Sequence, residues 1–182
     1  MAKPVMEPAK IEVNRIDIKI ILAIGLCVLT STILKQCGIT VSYGGRNLEI
    51  IQAMTASISC LLCVQENGIA SRKAGWTRIK VTVVAAVVAF FVVLLDTLIG
   101  NVLVSVLLIM AGVLLTMFLC KVSKVPYMNC RIGGVNFVLM ACTLSENARL
   151  LYTGFRVVST FYGVFMVLLV TYLFDRVSRG DN

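Results

Sequence analysis

The stretch Ile132-Gly133-Gly134-Val135-Asn136-Phe137-Val138-Leu139-Met140-Ala141-Cys142-Thr143-Leu144-Ser145-Glu146 decides how many times this chain crosses a membrane. It is apolar enough to enter a bilayer, yet shorter than the ~20 residues of an ordinary spanning helix. Gly133, Gly134 and Asn136 weaken its start and Glu146 closes it early. Counted as a span, it is the fifth of six, and the two halves of the chain then enter the membrane from opposite sides. Left out, it leaves five spans and no inversion.

The rest of the chain favours counting it. Of 182 residues, 59% are hydrophobic and only 14% charged, and the mean hydropathy is +0.94. A soluble domain is about half apolar and a quarter charged, so the composition is that of a polytopic membrane protein with room for one membrane domain. Six apolar segments stand between polar punctuation, at 16–35, 48–65, 78–97, 101–121, 132–146 and 154–174. Val81 to Cys120 is too long for a single span, and Asp96-Thr97-Leu98-Ile99-Gly100-Asn101 supplies turn residues near its middle, so it reads as a helical hairpin. Gly44-Gly45 makes the turn between the first two segments.

Lys and Arg number 17 against 9 Asp and Glu, a formal charge of +8. The surplus alternates along the chain rather than forming a nucleic-acid face. Lys3, Lys10, Arg15 and Lys19 precede the first segment; Arg72, Lys73, Arg78 and Lys80 follow the second; Lys121, Lys124 and Arg131 follow the fourth; Arg176 and Arg179 end the chain. Cytoplasmic loops are enriched in such residues. Six spans with both termini cytoplasmic satisfy that rule, giving a cytoplasmic segment 1–15, a transmembrane domain 16–174 and a cytoplasmic tail 175–182. No A-x-A-like cleavage site follows the first segment, which is therefore expected to stay as a helix.

Chemistry is limited by what is missing. With no histidine in the sequence there is no nucleophilic triad, and Gly44-Gly45 and Gly133-Gly134 lack the Lys-Ser/Thr of a phosphate-cradling loop. The seven cysteines fall mostly within or beside apolar runs, where a thiol behaves as a small hydrophobe. Neither a metal nor a cofactor is expected, and the chain is not expected to be an enzyme.

What recurs is a pattern of polar residues. Glu66-Asn67 is followed by Arg78 and Thr82; Glu146-Asn147 is followed by Arg156 and Thr160. Within Arg78-Ile79-Lys80-Val81-Thr82-Val83-Val84-Ala85 and Arg156-Val157-Val158-Ser159-Thr160-Phe161-Tyr162-Gly163, an arginine, a threonine and a small residue share one helical face. With six spans, the repeat makes the fold an all-α membrane protein built as two inverted three-helix repeats, an arrangement found in transporters. Two readings of the arginines stand: anchors that snorkel from helix ends, or charges that pair with Glu66 and Glu146 or attract an anion.

A helix ending in a polar turn, followed by Arg-x-x-Gly-Thr-x-x-Gly at the next helix, resembles the aromatic acid exporter and fusaric acid resistance-like (FUSC) superfamily, itself similar to the plant aluminium-activated malate channels. The likeness runs through Met54 to Ala85, with Val64-Gln65-Glu66-Asn67 at the turn, and again through Val135 to Gly163. Val81 and Ser159 stand where the family prefers glycine, Ala85 replaces a final glycine, and the cytoplasmic region of many members has no counterpart. The resemblance implies an inner-membrane protein that exports organic or aromatic acids, with six-helix units often paired.

The expected function is thus export of an organic, aromatic acid across the plasma membrane. Arg78, Arg156, Thr82, Thr160 and Trp76 are the substrate-binding candidates, and Glu66 and Glu146 the proton-coupling ones. Expected partners are the lipid bilayer, a small organic anion and a second copy or another membrane subunit, with no nucleic acid. A passive anion channel of similar architecture and a non-transporting subunit of a larger complex remain the alternatives.

Overall fold

A computed structural model describes residues 15–38, 40–43, 46–143 and 148–180. Six helices dominate: α1 (Arg15–Gln36), α2 (Ala53–Cys63), α3 (Gly68–Ile99), α4 (Val102–Val122), α5 (Tyr127–Cys142) and α6 (Ala148–Gly180). Strands β1 (Thr40–Tyr43) and β2 (Arg46–Glu49) form a small antiparallel hairpin between α1 and α2, with Tyr43 opposite Arg46. Each apolar segment of the sequence contains a helix. Four helices, over Ile16–Gln36, Gly68–Ile99, Val102–Val122 and Leu150–Arg176, are long and apolar enough to cross a membrane; Ala53–Cys63 is apolar but shorter. The molecule is a helical membrane protein.

The helix boundaries differ from the sequence reading in two informative places. The second helix begins at Ala53 rather than residue 48, because the residues before it pair as β2. The third begins at Gly68, ten residues before Arg78, since Arg72 and Lys73 lie on an exposed helix face rather than in a loop. At the far end the expected hairpin turn is in place. Gly100 takes the left-handed conformation at φ +63° and its N–H closes on the Asp96 carbonyl, a conformation without steric cost for glycine. The Asn101 side chain then accepts from Leu103 N–H at 3.1 Å and starts α4. Ser105 donates to the Asp96 carboxylate across the turn.

Adjacent contacts give the direction of every helix. Lys19 near the start of α1 reaches the Glu66 carbonyl, while Ser31 near its end donates to the Ile51 carbonyl, so α1 and α2 are antiparallel. A Cβ on Gly68 would meet Asp175 and one on Gly75 would meet Val164, so α3 and α6 are antiparallel too. Gly112 faces Phe137 and Thr116 faces Gly133, which sets α4 against α5 in the same way. Thus α1, α3 and α5 run one way and α2, α4 and α6 the other.

Helices α3 and α6 form the centre of the bundle. Besides each other, α3 packs on α5 and α4, while α6 packs on α2 and α1; α1 also packs on α2, and α4 on α5. Helices α1 and α4 carry few buried residues: in α4 these are Gly112, Thr116 and Cys120. Leu103, Leu107, Met110, Leu114 and Phe118 of α4, and Ile21, Leu22, Leu29 and Ile33 of α1, are exposed. So broad an apolar surface suits a hydrocarbon solvent. In lipid the helices gain little from a hydrophobic effect between them, so close packing and buried polar contacts must hold them together. Small residues supply the packing: Gly163 lies so near α2 that an added Cβ would stand 2.6 Å from the Ala56 carbonyl oxygen.

Candidate functional site

A seam of polar side chains runs through the centre of this apolar bundle. Arg78, Thr82, Asn136, Ser159, Thr160 and Arg156 are all buried. Arg78 and Thr82 lie on one face of α3, and Arg156 and Thr160 on one face of α6, because residues four apart in a helix share a face. Gly75 lies against Val164, so Arg78 falls about level with the stretch just before Val164. Arg156 is then roughly 8 Å further along the α6 axis, at 1.5 Å per residue.

Neither arginine has the position of a helix-end anchor. Arg78 is ten residues into α3 and Arg156 eight residues into α6, and their side chains are only 7% and 6% exposed. A snorkelling side chain keeps its charged head in water. Taking a charged side chain out of water without a partner is costly. Groups so placed are normally paired or engaged with a ligand or ion.

Their immediate surroundings differ. The Arg156 guanidinium donates to the Tyr152 hydroxyl at 2.9 Å and lies 5.7 Å from the ring centroid. At Arg78, Nε and one terminal nitrogen are buried without a hydrogen-bond partner among the described residues. Arg78 borders a cavity of about 40 Å³ lined also by Leu62, Ala74, Val81, Asn129 and Ile132. That volume holds a few waters or one carboxylate-sized group. The unpaired donors beside it suit a planar oxyanion.

Hydroxyl groups fix the backbones around the arginines. Thr160 donates to the Arg156 carbonyl at 3.0 Å, and Asn136 Nδ2 approaches Thr82 Oγ1 at 3.5 Å, linking α5 to α3. Ser159, one of the departures from the family pattern, is fully buried; it donates to the Phe155 carbonyl at 2.7 Å and accepts from Gln52 N–H at 2.8 Å. The serine thereby satisfies a backbone donor at the start of α2, which a glycine would leave bare. Val81, the other departure, fills the space against Gly133.

The remaining candidates lie elsewhere. Trp76 is two residues from Arg78 in sequence but 61% exposed, and it lines a separate groove on α3 and α6. Glu66 is exposed in the turn after α2, and among the described residues its carboxylate forms no ion pair with Arg78. Its backbone carbonyl accepts from buried Lys19, which also faces the Asp175 carboxylate at 3.6 Å and the Phe174 ring at 5.8 Å. Glu146 lies outside the described residues. The sequence reading missed Asn136, Tyr152 and Asn129 as parts of the centre. For Tyr152 the signal was its place one turn before Arg156, the spacing of a side-chain pair.

Comparison of the chain with protein-family profiles, with curated proteins and with solved structures gives no significant match. Function has to be argued from the centre itself.

Proposed function

We propose that this chain is an integral membrane transporter that exports organic acids, aromatic carboxylates foremost, across the plasma (inner) membrane. The observation that carries the reading is the pair of buried arginines on the two central helices, one of them with unpartnered donors beside a carboxylate-sized cavity. A buried guanidinium whose donors lack protein partners among the described residues is an unfavourable part of a scaffold and a good part of an anion site, since an incoming carboxylate supplies both the missing charge and the missing acceptors. The cavity accommodates the anionic head alone, so passage of a whole aromatic acid requires the helices that line it, α2, α3 and α5, to part, as in alternating access.

Six spans in two inverted halves are part of the proposal. Exchanging α1 with α4, α2 with α5 and α3 with α6 carries the helix contacts onto one another: α3–α5 becomes α6–α2, and α1–α6 becomes α4–α3. Helix lengths follow the same exchange, 22 with 21, 11 with 16 and 32 with 33 residues. Arg78 then corresponds to Arg156 and Thr82 to Thr160. The repeated sequence and the resemblance to the FUSC superfamily support the same reading, with both termini cytoplasmic and a second copy of the chain as the expected partner.

The test is flux through the purified protein in proteoliposomes loaded with a radiolabelled aromatic carboxylate. Wild-type protein should release it well above protein-free vesicles, and Arg78→Gln should lower the rate at least about tenfold, the scale of losing ~1.4 kcal/mol of charge-assisted binding. Acceleration by an imposed proton gradient separates an exporter from a passive channel, and substitutions at Glu66 and Glu146 then ask which carboxylate couples. Absence of flux for every organic acid tried, or equal flux from wild type, Arg78→Gln and Arg156→Gln, would refute the proposal.

A further inference from the structure

The face of α3 roughly opposite the Arg78 cavity carries a second concavity, a groove of about 610 Å³ whose lining includes Arg72, Lys73, Trp76, Ile79, Val164 and Leu168. Arg72 and Lys73 are exposed near the end of α3 with Ile69 beside them one turn further out, Trp76 lies one turn deeper and Ile79 another turn on, while α6 contributes Val164, level with Gly75, and Leu168, level with the cations. No carboxylate is among the lining residues. Two cations within an otherwise apolar lining complement a molecule with an anionic head and hydrocarbon tails. A small soluble anion would use the cations and leave the apolar residues bare. The indole is a side chain favoured at the boundary between headgroups and hydrocarbon, and basic residues at that level attract anionic lipid.

We propose that the α3–α6 groove is a binding site for an anionic phospholipid, whose phosphate is held by Arg72 and Lys73 and whose acyl chains lie against Trp76, Ile79, Val164 and Leu168. The site is independent of what the central arginines bind. A lipid seated there contacts both central helices, so it is also placed to bias their separation.

Trp76 is the single tryptophan of the chain and reports directly on the groove. The full-length protein is reconstituted in phosphatidylcholine bilayers doped with dibromo-acyl phosphatidylglycerol or dibromo-acyl phosphatidylcholine, and quenching of its tryptophan fluorescence is followed against mole fraction. Half-maximal quenching is expected at about fivefold lower mole fraction for the glycerol lipid, within what two basic residues at the surface can supply. In Arg72→Gln/Lys73→Gln, whose changes are on exposed positions, the two lipids should quench alike. Equal quenching by both lipids in the wild type, or a preference that survives in the double variant, overturns the proposal. So does displacement of the brominated glycerol lipid by submillimolar soluble benzoate, which would make the groove a vestibule for aromatic acids.

Discussion

Arg78 and Arg156 are both buried, on the two central helices α3 and α6, yet they are held differently: Arg156 by the Tyr152 hydroxyl, Arg78 with donors that have no partner among the described residues. Stability and function should therefore part company at Arg78. Replacement by methionine removes a buried, unsatisfied charge while keeping most of the side-chain volume. Arg78→Met should raise the thermal stability of the purified protein, by about 1 kcal/mol or more, while abolishing flux. Arg156→Met also removes a buried charge but deprives Tyr152 of its donor, so its gain should be smaller by about 1 kcal/mol. Thermal unfolding in nanodiscs checks both; a marked loss of stability in Arg78→Met would make the arginine a structural group.

The packing of α2 on α6 provides a second prediction. A Cβ at Gly163 would stand 2.6 Å from the Ala56 carbonyl oxygen, an atom of helix backbone that cannot step aside, whereas one at Gly154 meets nothing within 4 Å. Gly163→Ala should therefore destabilise by about 1–3 kcal/mol, the usual cost of overpacking. Gly154→Ala, in the same helix, should be neutral or gain up to about 1 kcal/mol from helix propensity. Comparing the two by thermal unfolding separates the contact from the general effect of removing a glycine. Equal responses would mean that the close approach of the helices is not what holds them.

Much of this centre was legible in the sequence, though not all for the reason first given. The recurring arginine, threonine and small residue did mark one face of each central helix, because helical periodicity survives whatever surrounds it. Asp96 to Asn101 announced the α3–α4 turn, since Gly100 and Asn101 have local roles that need no tertiary partner. The start of α3 was harder to read. Arg72 and Lys73 look like loop residues until one sees that they stand on an exposed face of a helix whose opposite side is buried. The hairpin Thr40–Glu49 was invisible to hydropathy because short polar strands carry no apolar period. Pairing of Glu66 with Arg78 was a guess from sequence proximity, and the intervening ten residues of helix carry the arginine inward while the glutamate stays exposed in the turn.

The turn between α3 and α4 yields a prediction that concerns folding alone. Gly100 holds φ +63°, and Ser105 donates to the Asp96 carboxylate across the same turn. Gly100→Val places a β-branched side chain in the left-handed region and should cost about 1–2 kcal/mol, while Gly100→Asn, which tolerates that region, should cost well under 1 kcal/mol. Both residues are far along the helices from Arg78, so transport per folded molecule should be unchanged in either variant. A valine variant as stable as the wild type would show that the turn is not held in this conformation.

The alternation of helix direction predicts which thiols share a side of the membrane. Cys37 follows α1 and Cys142 ends α5, two helices that run the same way, and both cysteines are exposed; Cys27, Cys60, Cys63, Cys120 and Cys130 are buried. A membrane-impermeant maleimide added to one side of intact cells or oriented vesicles should therefore modify Cys37 and Cys142 together and spare the buried five. Glu66 sits in the exposed turn at the other end of the bundle, beside Lys19 and near the end of α6. Glu66→Cys, in a background with Cys37 and Cys142 changed to serine, should be labelled only from the opposite side. If α2 and α5 together carry the chain across, as six spans require, both results hold. Labelling of Cys37 and Cys142 from different sides would mean that α5 does not cross, and labelling of Cys37 and Glu66→Cys from the same side would mean that α2 does not; either result would remove the inverted relation between Arg78 and Arg156.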